Sequence, residues 1–240
     1  MNRSRFDQHI LKKRSILEYI AGLCEPLEGK YVFEIGCGPG NLTNILISRG
    51  ANVIGIELDQ KFIPFLKELK EATIIIGDVA RINFPLCDII VGNIPYSVTS
   101  LILRKLSKSE TKKAVLTIQL DVARRLVAEP GCREYGSLTV GMYGWNIKIA
   151  KKLSPNYFSP PPHVDSAIVI LDRKNDLARE WLEVESDPQF ESFLKWIFST
   201  RKKMLRSIFP DIFPQDTRRP FMLSPLELAK LYTKLKKKQW

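Results

Sequence analysis

The sequence predicts an α/β fold: a seven-stranded mixed sheet with helices on both faces over residues 1–174, followed by a small, basic helical domain over residues 175–240. Three observations lead there. Between Lys30 and Leu171, short β-rich runs alternate with segments of helical period, the pattern of a parallel sheet covered on both sides. The last two runs are separated only by a proline-rich stretch at 154–164, too short for a crossover helix, so they form an antiparallel pair at a sheet edge. Glycine is absent from 145 onward, and the segments 190–198 and 226–235 read as amphipathic helices.

The runs fall at 31–35, 52–56, 73–76, 87–91, 114–118, 145–150 and 166–171. With 240 residues, 45% apolar and 26% charged, the chain can bury a full core as one large domain or a domain with an appendage. Its net charge of +11 and pI near 9.5 point to a polyanionic partner, nucleic acid or an anionic membrane. The membrane is the weaker option. No apolar run approaches the roughly 20 residues of a spanning helix, and the polar, basic start has no apolar stretch behind it to make a signal peptide, which places the protein in the cytoplasm. Cys24, Cys37, Cys87 and Cys132 lie far apart with no C-x-x-C pair, and His9 and His163 are the two histidines, so neither a disulfide framework nor a metal centre is expected.

From Lys195 to Trp240 there are twelve Lys/Arg against three Asp/Glu, interleaved with Trp196, Phe198, Phe209, Phe213, Phe221 and Tyr232. That reads as a basic face for RNA, although the run Lys236-Lys237-Lys238 by itself reads as a solvated chain end.

The first strand runs into Glu34-Ile35-Gly36-Cys37-Gly38-Pro39-Gly40, a glycine-rich turn that lets backbone N–H groups approach a ligand. The second strand ends at Glu57, 21 residues after Gly36, where a carboxylate can accept from both hydroxyls of a ribose. An adenosine-type cofactor suits both features. The spacing is G-x-G-x-G rather than the G-x-G-x-x-G that seats a pyrophosphate, and Glu34 would repel a pyrophosphate while suiting a sulfonium and an α-amino group. Asp78 ends the third strand, where its carboxylate could take the adenine amino group and its neighbour's N–H a ring nitrogen. Gly36, Glu57, Asp78 and Asn93 each fall at the carboxyl end of a strand, where ligands collect in open α/β sheets.

The fourth strand emerges into Asn93-Ile94-Pro95-Tyr96. An exocyclic amine conjugated to a purine is a poor nucleophile because its lone pair is delocalised. The Asn93 side-chain oxygen and the Pro95 carbonyl can accept both N–H bonds and aim the lone pair at a methyl donor, with no general base. Tyr96 offers a ring on which an extruded base can lie.

At these positions the chain closely resembles the small-subunit (16S) ribosomal RNA adenine N6-dimethyltransferases of the KsgA type, with the erythromycin-resistance methyltransferases as near relatives. The resemblance extends through Gln119 to Leu126, Tyr135 to Val140, Phe158-Ser159-Pro160-Pro161-Pro162-His163-Val164-Asp165-Ser166 and the basic Arg201-Lys202-Lys203-Met204-Leu205-Arg206. It implies a Rossmann-like class I S-adenosylmethionine-dependent methyltransferase that releases S-adenosylhomocysteine. It also implies two methyl groups on N6 of each of two adjacent adenosines, in a hairpin near the 3′ end of small-subunit RNA, during subunit biogenesis. By resemblance, cofactor contacts fall on His9, Leu11, Gly36, Glu57, Asp78 and Asn93, and Phe158 stacks on the target base opposite Tyr96; from the residues alone, Phe158 reads as an anchor for the proline loop. The chain has Asp7-Gln8-His9-Ile10-Leu11-Lys12-Lys13 where the family usually reads Gly-Gln-Asn/His-Phe-Leu and then a small or acidic residue.

Three other readings share part of this pattern. A 23S ribosomal RNA methyltransferase of the macrolide-resistance type shares the strip, and Ile94 leans toward it, but the Phe158 to Ser166 run and the basic segment favour the small-subunit enzyme. A non-catalytic ribosome assembly factor is opposed by the intact Asn93, Pro95 and Tyr96. A nicotinamide-linked oxidoreductase fails on glycine spacing. A monomer is the default.

Overall fold

The computed structural model describes residues 8–237. Asp7 of the N-terminal motif and Lys238 of the terminal lysine run lie outside the described residues.

In chain order the elements are β1 (Ile10–Leu11), α1 (Arg14–Leu23), β2 (Tyr31–Ile35), α2 (Asn41–Ser48), β3 (Asn52–Glu57), α3 (Ile63–Leu66), β4 (Ala72–Ile76), β5 (Ile89–Asn93), α4 (Thr99–Ser107), β6 (Lys113–Gln119), α5 (Leu120–Leu126), α6 (Ser137–Gly141), β7 (Trp145–Leu153), β8 (Phe158–Ser159), β9 (Ser166–Arg173), α7 (Arg179–Glu185), α8 (Pro188–Ser199), α9 (Leu205–Ile208) and α10 (Pro225–Lys236). Seven strands form one sheet in the order β4-β3-β2-β5-β6-β9-β7. Pairings from β4 through β6 are parallel, and β9 runs antiparallel to β6. The mixed α/β sheet is therefore as the sequence predicts, with β9 and β7 as neighbours at its edge.

Chain contacts divide the molecule into two units, the first being the described residues up to Ala123 with Asn146–Arg173. In that unit α1 and α2 cover one face of the sheet. Ile16, Leu17, Ile20 and Ala21 recur at helical spacing on α1 and bury against Leu42, Ile45 and Leu46 of α2 and Val32, Val53 and Val91 of the sheet. Burying each of these large aliphatic side chains contributes roughly 1.5–3 kcal/mol.

Gly92 shows why the strip begins where it does. A Cβ there would lie 2.4 Å from the Ile35 carbonyl oxygen, so only glycine lets β5 lie this close to the end of β2. The strand spans Ile89–Asn93 rather than 87–91. Asp88 is taken up at its entrance, accepting the Tyr31 N–H at 2.9 Å, and Asn93 is the strand's last residue rather than the first of a loop.

The second unit joins two stretches, Arg124–Trp145 and the described residues from Lys174 onward, where the sequence reading took one beginning at 175. Its own core brings Tyr135 and Val140 together with Trp181, Phe190, Phe193, Leu228 and Tyr232. The Tyr135 hydroxyl donates to the Leu223 carbonyl at 2.9 Å. Caps fix the helix starts here. Asp187 accepts from Gln189 N ahead of α8, and Ser224 and Glu227 form a reciprocal box ahead of α10, each followed by proline at the first helical position. Asp187 also accepts from the Tyr232 hydroxyl and Lys236 Nζ, both at 2.7 Å, which fastens α8 to the end of α10.

Candidate active site

The glycine loop bends through left-handed backbone at Gly36, Gly38 and Gly40, with φ of +78°, +54° and +84°. Gly40 then caps α2. A Cβ at Gly38 would meet nothing within 4 Å, so this part of the loop borders open space.

Glu57, at the end of β3, is 3% exposed and organises the loop from across the cavity. One of its oxygens accepts the Gly38 N–H at 2.7 Å; the other accepts the Asp59 N–H at 2.7 Å and Gln8 Nε2 at 3.4 Å. Each carboxylate oxygen has two lone pairs, so the oxygen bonded to Gly38 keeps one for a ligand hydroxyl, and a second hydroxyl can take the place of the long Gln8 bond on the other. Glu34 is 2% exposed and accepts the Thr43 hydroxyl at 2.6 Å. Burial, reinforced by the neighbouring Glu57, pushes the Glu34 carboxyl up to about 8, against the lowering effect of the Thr43 bond. The Cys37 thiol is buried in the same turn and pushed well above its ordinary value.

Asp78 closes on itself: its Oδ1 accepts the Ala80 N–H at 2.8 Å, while its Oδ2 lies 3.8 Å from Arg81 Nε. Across the mouth, Gln8 and His9 lead into β1, which pairs with β8 through Ile10↔Ser159 and Leu11↔Phe158. The His9 ring donates from Nδ1 to the Pro160 carbonyl at 2.8 Å. This two-stranded strap is too short to leave a periodic signal in the sequence.

The strip itself is held from several sides. Asn93 Nδ2 donates to the His9 carbonyl at 2.6 Å, which fixes the amide so that Oδ1 is its other, accepting branch. The Tyr96 hydroxyl bonds Ser166 Oγ at 2.7 Å, and its ring lies 5.5 Å from that of His9. The Pro95 carbonyl already accepts from the Val98 N–H and the Thr99 hydroxyl, both at 3.2 Å. Its two lone pairs are thus used by the turn, at odds with the acceptor role read from the sequence. No described donor reaches the Ile94 carbonyl one residue earlier.

One cavity of about 390 Å³ gathers these groups. His9, Leu11, Gly36, Glu57, Asp78 and Asn93 line it, as do Ile94, Pro95 and Tyr96. Phe158 does not. Its ring is 3% exposed and packs in the core with Leu11, Leu17 and Leu153, so the structure keeps it as the anchor of the proline loop rather than a platform opposite Tyr96. Among the residues that sequence reasoning passed over, Gln8 was visible in the N-terminal motif and Ser166 in the Phe158 run. Thr43 carried no signal beyond its place in the loop.

The donor set suits a cationic adenosine compound. Glu34, Glu57 and Asp78 present acceptors, matching an ammonium, a sulfonium, ribose hydroxyls and an adenine amine; a pyrophosphate would meet the acidic side chains of Glu57 and Asp78. Among the described residues no cluster of metal-ligating side chains occurs.

Comparison with known proteins agrees with this geometry. The family described as "Ribosomal RNA adenine dimethylase" matches residues 1–240. A protein of Pyrobaculum aerophilum named "Probable ribosomal RNA small subunit methyltransferase A" is 39% identical over 239 residues, covering 98% of this chain and 100% of that protein. The crystal structure of a dimethyladenosine transferase from Plasmodium falciparum superposes with a TM-score of 0.85 at 26% identity, covering 96% of this chain and 98% of that one. The 23S rRNA methyltransferase ErmE, at a TM-score of 0.67 and 24% identity over 95% of this chain and 99% of its own, shares the fold.

Proposed function

The chain belongs to the ribosomal RNA adenine dimethylase family, and from that premise we propose that it is a small-subunit ribosomal RNA adenine N6-dimethyltransferase. Its substrate is a hairpin near the 3′ end of that RNA, and its product carries two methyl groups on each of two adjacent adenosines. The observation that carries this reading is the Asn93 amide, turned by the His9 carbonyl so that its oxygen is the accepting end, in a cavity also lined by the acidic side chains Glu34, Glu57 and Asp78.

S-adenosylmethionine bound here supplies an electrophilic methyl group on a sulfonium, leaving S-adenosylhomocysteine. Glu57 would hold the ribose hydroxyls, Asp78 with the Val79 N–H the adenine, and Glu34 would face the cationic end of the cofactor. His9 and Leu11 close the mouth through the β1–β8 strap. At the target, Asn93 Oδ1 and the Ile94 carbonyl accept the two N–H bonds of the adenine amine and favour its pyramidal form. Pro95 fixes the turn that presents them, its own carbonyl occupied within that turn. Tyr96, steadied by Ser166, offers its ring to the flipped base. After the first transfer one N–H remains, enough for a single acceptor to orient the second.

The basic second unit supplies phosphate contacts, consistent with a net charge of +11. No described helix is long and apolar enough to cross a membrane. We place the protein as a monomer in the cytoplasm, where ribosomal subunits mature. The large-subunit reading has less support, since the relative at 39% identity carries a small-subunit name whereas the 24% likeness to ErmE bears on fold alone. Purified protein with labelled S-adenosylmethionine should label small subunits that lack the modification. Equal labelling of naked large-subunit RNA would overturn the assignment.

A further inference from the structure

Lys105 stands in the last turn of α4, outside the residues that line the cavity. Its ammonium donates to the carbonyls of Val79 at 2.9 Å, Ala80 at 2.8 Å and Ile82 at 2.6 Å. An ammonium has three N–H donors, so the whole hydrogen-bonding capacity of this side chain goes to the main chain of one loop.

That loop spans residues 77–88 between β4 and β5 and contains neither helix nor strand. Its first residues tie mainly to one another: Ala80 N–H to Asp78 Oδ1 at 2.8 Å and Arg81 N–H to the Asp78 carbonyl at 2.9 Å, with Gly77 N–H reaching the Glu57 carbonyl at 2.8 Å. Such a turn keeps its shape but is not thereby held against the body of the protein. Lys105 provides the hold. Its helix is anchored by Ile102, Leu103 and Leu106, all fully buried. The tripod therefore links the packed core to the corner where Asp78 offers Oδ2 and Val79 an N–H that no described acceptor takes.

We propose that Lys105 is the positioning residue that sets recognition of the cofactor's adenine, by holding the corner at Asp78 and Val79. This rests on reading the cavity as an S-adenosylmethionine site. No motif marks the residue, because its partners are main-chain atoms that any sequence supplies.

The test compares wild type with Lys105→Met, which keeps the stem and loses the ammonium, on two readouts that a merely stabilising lysine would leave alone. Each is measured on folded protein below its melting temperature. The first is the split between KM for S-adenosylmethionine, expected to rise about tenfold, and kcat at saturation, expected to stay within about twofold. The second is selectivity between S-adenosylhomocysteine and S-inosylhomocysteine, whose base carries a carbonyl in place of the amine. Wild type should prefer the adenine form and the variant should lose most of that preference. If Lys105→Met does not fold, Lys105→Arg carries the same comparison, since a planar guanidinium cannot aim three N–H bonds from one atom. Unchanged KM and unchanged selectivity in a folded variant would overturn the role of Lys105 alone. Failure of wild type to bind either nucleoside would instead overturn the cofactor reading beneath it.

Discussion

Replacing Glu34 by glutamine tests the electrostatics of the site without touching the methyl acceptor. The carboxyl is 2% exposed, accepts one hydrogen bond from Thr43, and is held protonated by burial up to about pH 8, against 4.5 for an ordinary glutamate. Below about pH 4.5 folded and unfolded chains both carry the proton and the group contributes no pH dependence. Between 4.5 and about 8 the unfolded chain releases the proton while the folded chain keeps it. Wild-type stability should therefore fall by about 1.4 kcal/mol per pH unit across that window from this group, levelling off above it. The whole interval bounds the loss at roughly 5 kcal/mol. Glu34→Gln has no such proton to lose, so its stability relative to wild type should climb from near zero at pH 4.5 to a few kcal/mol at pH 8. Urea unfolding of both proteins at successive pH values measures the difference. A cationic cofactor favours the ionised carboxylate, so at pH 7 its binding to wild type should release more protons than binding to the variant, which calorimetry in buffers of different ionisation enthalpy reads directly. Parallel stability curves for the two proteins, or a wild type that gains on the variant as pH rises, would refute the reasoning.

Asn93→Ala should lower kcat by about 10²–10³-fold, because the lost oxygen serves the target amine, and weaken S-adenosylmethionine binding by less than that, through loss of the bond that holds the His9 carbonyl at the mouth; single-turnover transfer and direct titration separate the two. Phe158→Ala should cost about 3–5 kcal/mol of stability in urea unfolding, since its ring is 3% exposed in the core; a near-neutral effect would return the residue to the base-binding role that resemblance gave it. Charge reversal at the exposed Lys202 and Lys203 should reduce the log–log salt slope of RNA binding by about two, and an unchanged slope would remove that segment from the RNA contact. Point substitutions are the right perturbation here because truncating the tail would strip the core shared by Tyr135, Val140 and the C-terminal helices.

What the sequence carries well is whatever has a period or sits at a strand end. The seven strands could be placed because alternating β-rich runs survive in one dimension, and Gly36, Glu57, Asp78 and Asn93 could be singled out because each closes such a run. Three kinds of feature escape this reading. The strap of Ile10–Leu11 with Phe158–Ser159 has two-residue strands, below any periodic signal. The grouping of Arg124–Trp145 with the C-terminal helices depends on Tyr135 and Val140 meeting Trp181 and Phe190, residues distant in sequence. The occupancy of the Pro95 carbonyl arises because the chain turns back on itself at once, bringing Val98 and Thr99 beneath it. Motif spacing names the residues of a strip but not which of its oxygens remain free.

The most direct test maps the methylated positions. Small subunits from cells lacking the modification, incubated with this protein and S-adenosylmethionine, should show primer-extension stops at two adjacent adenosines near the 3′ end of the RNA, with mass spectrometry of the digest giving N6,N6-dimethyladenosine. Asn93→Ala should give neither. Methylation confined to large-subunit RNA, or a product that stays monomethylated at a single adenosine under exhaustive conditions, would contradict the account.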